Sequence, residues 1–226
     1  MRIRIVAALI AVLVCSAGVA GTDAATASGA SKVTAHWLLY QIPIATEAGW
    51  STYVRAKFDY PADLNGDCQN TRAEVLIAES LVAVTYTSAS HCYVKKGRWY
   101  SYYDGVSGSY ASSFELDHLV ALFEAWISGA RSWTATDRKR FANDTAFGST
   151  LVMVTTAVNQ AKGNRDPASW LPPRAAARCT YAIRWVQVKY RWRLTMDSAE
   201  RSVLSRLLSG SCGATLVAVP ARGRSA

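Results

Sequence analysis

The apolar pattern separates a short leader from a long folded region. Arg2 and Arg4 precede an unbroken apolar run from Ile5 to Val14, and small residues follow through Ala20, which is the layout of a secretory signal peptide. The run falls well short of the roughly 20 residues that span a bilayer. Cleavage is expected near Ala20 or Ala25, so residues 1–25 are read as the signal. Cys15 follows the bulky Val14, which disfavours lipid attachment at that cysteine. Between Gly21 and Lys32 the chain is mostly Ala, Ser, Thr and Gly and offers little to bury. Residues 26–45 are accordingly expected to form a mobile leader, 46–212 one folded domain, and 213–226 a C-terminal tail.

Within the domain the pattern changes period several times. Ala73 to Glu79 suits a strand or a short helix, Val82 to Thr87 alternates like a strand, and Gly97 to Tyr110 has the Gly, Ser and Tyr content of a hairpin. Phe114 to His118 reads as a short strand. Leu119, Leu122, Phe123 and Trp126 fall at helical spacing before Gly129, and Thr134 with Asp137 forms a capping box for a helix running to Asn143. Leu151 to Thr155 is a buried apolar run. After Pro172 and Pro173, one helix from about Arg174 to Arg193 and another opened by Asp197 and Glu200 close an α+β order.

Composition narrows this picture. Half of the 226 residues are apolar and 18% are charged, which excludes a disordered polyelectrolyte. The net charge is +9; loss of Arg2 and Arg4, and of Asp23 with the later cut, leaves +7 or +8. That sign suits phosphate-rich polymers or anionic surfaces. Cys68, Cys92, Cys179 and Cys212 remain after cleavage. An even count in an exported chain favours two disulfides, with local pairing of Cys68 to Cys92 and Cys179 to Cys212 preferred among three connectivities. Zinc is disfavoured because no C-x-x-C occurs.

Candidate chemistry gathers between residues 115 and 166. Asp117 directly precedes His118, with Glu115 and Glu124 nearby, and at a strand end neighbouring side chains can both reach one site. The second segment, Val158 to Pro167, places Asn159, Lys162, Gly163, Arg165 and Asp166 within a few residues. These two segments, "ELDHLVALFEAW" at 115–126 and "AVNQAKGNRDPASWLPP" at 157–173, together with "FAND" at 141–144 and "GDCQNTRAEVL" at 66–76, resemble the HNH, or ββα-metal, endonucleases. The resemblance is closer still to the HNH-type domain shared by GmrSD-like restriction proteins and small secreted actinobacterial proteins. Ala121 departs from the pattern where relatives often carry proline.

The resemblance implies a ββα-metal core with added N-terminal strands and C-terminal helices, stapled by the disulfides. It implies that Asp117 and Asn159 ligate one divalent cation, that His118 is the general base, and that Asn143 is the asparagine that holds the site in place. Mg is the first choice of metal, with Mn, Zn or Ni as alternatives. Oxygen ligands suit a hard cation that stabilises charge on a phosphodiester, and imidazole, with an ordinary pKa of about 6.5, can take a proton from water near pH 7. Lys162 and Arg165 flank Gly163 and are read as contacts to substrate phosphate. Asp166 is read as a partner to the site or as a cap for the turn before Pro167.

The implied function is a secreted, metal-dependent endonuclease acting on nucleic acid, with DNA as the first choice of substrate and RNA left open, and with no membrane partner once the signal is gone. The alternative is a non-catalytic secreted binder of nucleic acid or anionic cell-wall polymer. A serine hydrolase is a third reading, but no G-x-S-x-G occurs. The helix after Pro173 mixes Arg184, Lys189, Arg191 and Arg193 with Tyr181, Trp185, Tyr190 and Trp192. Its aromatics are expected in the core and its basic edge along a phosphate backbone. Asp63, Asn65, Asp67 and Glu74 have the spacing of a calcium loop, yet Cys68 stands where that loop requires glycine, which favours a polar turn.

Overall fold

Short polar side chains start most of the helices in the computed structural model, which describes residues 31–224. The predicted signal peptide and the start of the predicted leader lie outside the described residues. Strand β1 (Lys32–Thr34) leads into helix α1 (Ala35–Tyr40), where the Thr34 hydroxyl accepts a hydrogen bond from the Trp37 N–H. This corrects the expectation of a leader through residue 45. Ala35, Leu38, Leu39 and Ile42 form an apolar face that is buried in the core, and burial of that face outweighs the polar composition before it.

Helix α2 (Thr71–Glu79), capped by Asn70, resolves the ambiguous segment as helix. Strand β2 (Thr85–Tyr86) is a short edge of the expected strand, and it pairs with the hairpin of β3 (Val94–Ser101) and β4 (Val106–Tyr110). Strand β5 (Phe114–His118) follows, then α3 (Leu122–Ile127) and α4 (Ala135–Ala142), whose Thr134 cap accepts from the Asp137 N–H as the capping box requires. Strand β6 (Leu151–Thr155) runs antiparallel to β5 and leads directly into α5 (Thr156–Lys162). The chain ends with α6 (Arg178–Trp192), α7 (Ser198–Leu207), α8 (Gly210–Ala214) and β7 (Leu216–Ala218).

Alternation along β6 explains its unbroken apolar sequence. Val152 and Val154 enter a large core with Phe58, Trp126, Phe141, Tyr181, Trp185 and Trp192, whereas Leu151 and Met153 enter a smaller one with Leu76, Trp99, Phe114 and Leu116. Both faces of the strand are thus buried. The β5–β6 pair is the wall between the two cores, and its end carries Asp117 and His118.

The predicted tail is also part of the fold. β7 pairs antiparallel with β1, Val217 is buried, and Gly223 packs so tightly on Trp192 that a Cβ there would lie 2.7 Å from the indole. The domain therefore extends beyond 46–212 at both ends. Both expected disulfides are present, Cys68 to Cys92 and Cys179 to Cys212, and the second ties α6 to α8. Among the described residues no helix is long and apolar enough to cross a membrane.

The basic helix α6 is corrected in detail. Tyr181, Trp185 and Trp192 are core residues as expected, but Lys189 is fully buried between Glu124 (2.7 Å) and Glu200 (2.6 Å). Arg191 chelates Asp144 through Nε (2.8 Å) and Nη2 (3.0 Å). These two charges are spent inside the protein and cannot track a phosphate backbone. The acidic loop is a polar turn: Asp63 accepts from the Gly66 and Cys68 N–H groups, and Asp67 from that of Gln69.

Candidate active site

The end of β5, the start of α3 and helix α5 border one small cavity of about 90 Å³ lined by Arg55, Asp117, His118, Asn159 and Asn164 among others. The β5–β6 register sets Asp117 opposite Val152 and His118 opposite Leu151. Asn159 approaches from α5, the helix that β6 feeds. The side chains of Asp117 and His118 leave the strand on opposite faces but both border the cavity, because β5 ends there.

His118 is buried, and its Nε2 lies 2.9 Å from the carbonyl oxygen of Ala142. A carbonyl can only accept, so the proton is assigned to Nε2 and the lone pair to Nδ1. Burial pushes the imidazole pKa down to about 3; the Ala142 bond opposes this, and Arg55 and Lys162 reinforce it. The ring is therefore neutral at neutral pH, more firmly than its ordinary pKa implies. Tyr60 stands edge-on to it with ring centroids 4.6 Å apart.

Asn143 secures this arrangement without touching the imidazole. Its Oδ1 accepts from the Ala62 N–H (3.0 Å) and the Thr71 hydroxyl, and its Nδ2 donates to the carbonyls of Asp59 (3.0 Å) and Lys139 (2.8 Å). It thereby ties the end of α4, where the Ala142 carbonyl sits, to the segment that carries Tyr60. One amide thus joins the chain segments that carry two of the imidazole's neighbours.

Asp117 is held from two sides. Lys162 Nζ donates to Oδ1 at 2.8 Å and Tyr103 donates its hydroxyl to Oδ2 at 2.7 Å. Burial raises the Asp117 carboxyl pKa, and the ammonium and phenol oppose that rise. Lys162 also donates to the His118 carbonyl at 2.9 Å and is fully buried. This corrects its reading as a phosphate contact: helical periodicity turns it inward from α5, toward a carboxylate that neutralises it.

Asn159 Nδ2 donates to Glu115 Oε2 at 2.6 Å. The bond fixes the nitrogen toward Glu115, which orients the amide and leaves its oxygen without a protein partner among the described residues. Arg165 is exposed, bonds the Ala161 carbonyl at 3.0 Å, and borders a separate cavity with Glu47, Glu124, Asp166 and Asp197. Asp166 caps its own turn by accepting from the Ser169 N–H at 3.0 Å. The fold thus gathers Asp117, His118 and Asn159 at one cavity, sets Asn143 and Lys162 behind it, and leaves Arg165 outside it.

Sequence reasoning missed Tyr103 and Arg55, which lie in stretches without a motif, and the Ala142 carbonyl, a backbone group that no side-chain pattern in "FAND" marks. Glu115 could have been assigned from its strand position, since residues two apart share a face and Asp117 is two residues on.

A divalent cation is compatible with these donors. Asp117 keeps a second lone pair on each carboxylate oxygen, Asn159 has a neutral oxygen without a protein partner among the described residues, and both border the same cavity. Oxygen donors of this kind suit a hard ion.

The sequence model for the C-terminal domain of GmrSD restriction endonucleases matches residues 70–207, a span that includes all the residues of this site except Arg55 and Tyr60. An uncharacterized secreted protein of Arthroderma benhamiae is 39% identical over 179 residues, covering 79% of this chain and 85% of that protein. With the two disulfides, this similarity marks the chain as an extracellular protein. No solved structure matches. A model match over more than half of the sequence, on the very segments that build the cavity, makes this chain a member of the GmrSD restriction endonuclease C-terminal domain family.

Proposed function

We propose that the protein is a secreted endonuclease that hydrolyses phosphodiester bonds of nucleic acid, DNA first with RNA as the alternative substrate, with His118 as general base and one divalent cation. The observation that carries this reading is the neutral, buried His118 with Nε2–H pinned by the Ala142 carbonyl. This leaves Nδ1 as the proton acceptor, in a residue that shares its cavity with Asp117 and Asn159. The antiparallel β5–β6 pair leading directly into α5, with β5 and α5 both bordering the cavity, supports the ββα-metal reading of the core.

Each residue then has a task that its surroundings explain. His118 Nδ1 takes the proton of the attacking water, and the fixed Nε2–H···O bond keeps the ring in that tautomer and orientation. Asp117 and Asn159 would hold the cation, Mg first, with Mn, Zn or Ni as alternatives. When bound, the ion supplies positive charge to the scissile phosphate and the departing oxygen. Lys162 and Tyr103 orient the Asp117 carboxylate, and Glu115 orients the Asn159 amide, the kind of support that ligating side chains need. Arg55 lines the cavity and takes the role of phosphate contact that Lys162 cannot fill, with exposed Arg165 as a further cation for the strand. Asn143 positions His118 through Ala142.

The test is incubation of the mature, disulfide-bonded protein with plasmid DNA and with RNA, in each of the four metals and in EDTA. Metal-dependent cleavage that falls about a hundredfold or more in His118→Ala is expected. Binding without cleavage, or a His118→Ala variant as active as the parent, overturns the reading.

A further inference from the structure

A second cleft, sharing no residue with the His118 cavity, runs along the free edge of β6. Its volume is about 400 Å³, and Arg174, Arg184, Tyr100, Tyr102, Thr180 and Glu79 are among the residues that line it. The two arginines distinguish it. Lys162, Lys189 and Arg191 all spend their charge on buried carboxylates, whereas neither the Arg174 nor the Arg184 guanidinium has a carboxylate or carbonyl partner among the described residues.

Both guanidiniums are nevertheless positioned. Arg184 lies over the Tyr102 ring, 4.9 Å from its centroid. Arg174 crosses Gly105, where φ is +80° and a Cβ would stand 3.3 Å from the arginine Cδ. The Tyr102 hydroxyl is shielded from solvent and lies beside the Arg184 guanidinium. The first turn of the 15-residue helix α6 also lines the cleft through Ala177 and Thr180, and that helix has no side-chain cap. Glu79, the one carboxylate in the lining among the described residues, accepts from the Met153 N–H through Oε2 at 2.9 Å and feels the Arg184 charge without forming an ion pair with it.

We propose that this cleft binds a phosphate group through Arg174 and Arg184, with the Thr180 hydroxyl as an additional donor. Two guanidinium forks match the charge and the oxygen geometry of phosphate. The aromatic and apolar surface of Tyr100 and Leu81 beside them accommodates an organic portion attached to that group, so the ligand class is a nucleotide or nucleic-acid phosphate, either a terminal monoester or a backbone diester. The cleft needs no metal and contains none of the groups assigned to hydrolysis, so the proposal stands or falls apart from the catalytic reading.

The experiment is calorimetric titration of the full mature protein in EDTA with inorganic phosphate, with a 5′-mononucleotide, and with a dinucleotide whose only phosphate is a diester. Saturable binding is expected, weakened about tenfold or more in Arg174→Gln/Arg184→Gln because each arginine makes charge-assisted bonds. Binding of phosphate and mononucleotide alone identifies a terminal phosphate as the ligand; binding of the dinucleotide as well identifies the backbone. Absence of saturable binding for all three, or equal affinity in the double variant, overturns the proposal. Thermal melting without ligand checks the fold of the double variant, and the single Arg174→Gln change at an exposed position carries the same test if the double variant unfolds.

Discussion

Lys162 and Asp117 form an ion pair sealed from solvent, with Nζ 2.8 Å from Oδ1 and side chains 0% and 4% exposed. A lysine that reads as a surface phosphate contact is thus the internal counter-charge of a candidate metal ligand. Removing one partner strands the other in a medium that cannot solvate it, so Asp117→Asn should cost about 3–5 kcal/mol of stability. Asp117→Asn/Lys162→Met should recover part of this. Urea unfolding monitored by the buried tryptophans measures both; an unchanged midpoint for the single variant would remove the pair from the account of the site.

The Glu115 to Asn159 bond leads to a separate expectation. With Glu115 gone, the amide of Asn159 loses the partner that fixes its nitrogen, and on the proposed reading its oxygen is then no longer held for a cation. Glu115→Ala should therefore weaken divalent-cation binding about 10–100-fold, as the loss of ligand-supporting partners generally does, while Asn159→Ala removes the oxygen itself. Titration calorimetry with Mg and Mn decides this, and equal affinity in the parent and Glu115→Ala would contradict it.

Asn143 makes four hydrogen bonds through one side chain, and Asn143→Ala removes the partner of the Ala62 N–H and of the Asp59 carbonyl while the Thr71 hydroxyl and the Lys139 carbonyl keep one bond each. We expect a loss of about 2–4 kcal/mol. Cleavage should also fall, measured well below the melting temperature, because the Ala142 carbonyl and Tyr60 lose their common anchor. A variant that is destabilised but cleaves at the parent rate would confine Asn143 to a structural role.

Glu47 provides a pH test away from the cavity. Burial, with Glu124 and Asp197 nearby, raises its carboxyl pKa from 4.5 to about 7. The folded state then binds its proton more tightly than the unfolded state, so its stabilising contribution is complete below pH 4.5 and is lost as pH rises through 7. Glu47→Gln should be more stable than the parent at pH 8, by on the order of 1 kcal/mol given the partial exposure of the group, and should match it near pH 4.5. Parallel melting curves across that range would refute the shift.

Local rules were legible where a short-range contact decides the outcome. Thr134 with Asp137 and Asp197 with Glu200 form the helix starts that their spacing announces, and each cystine closes a local loop. The reach of the motif residues to one cavity was legible through the family resemblance. Long-range pairing was not: Tyr103 and Lys162 meet at Asp117 from 14 and 45 residues away, and no local pattern marks them as a set. The same holds for Lys189, whose helix looks basic along one edge until Glu124 and Glu200 are brought in from other elements. The N-terminal boundary was misplaced because a polar, Ser- and Ala-rich stretch precedes a six-residue helix too short to show periodicity on its own.

The pairing of β1 with β7 joins the first described strand to the last. Thr34 faces Leu216, so the contact closes a loop of about 180 residues, and the entropy of that closure must be offset by burial already gained elsewhere. A chain that leaves the cell N-terminus first cannot complete this clasp until almost all of it has emerged. Export and folding are thereby ordered in time: the interior can condense early, but the strand that fastens the beginning of the domain waits for its end.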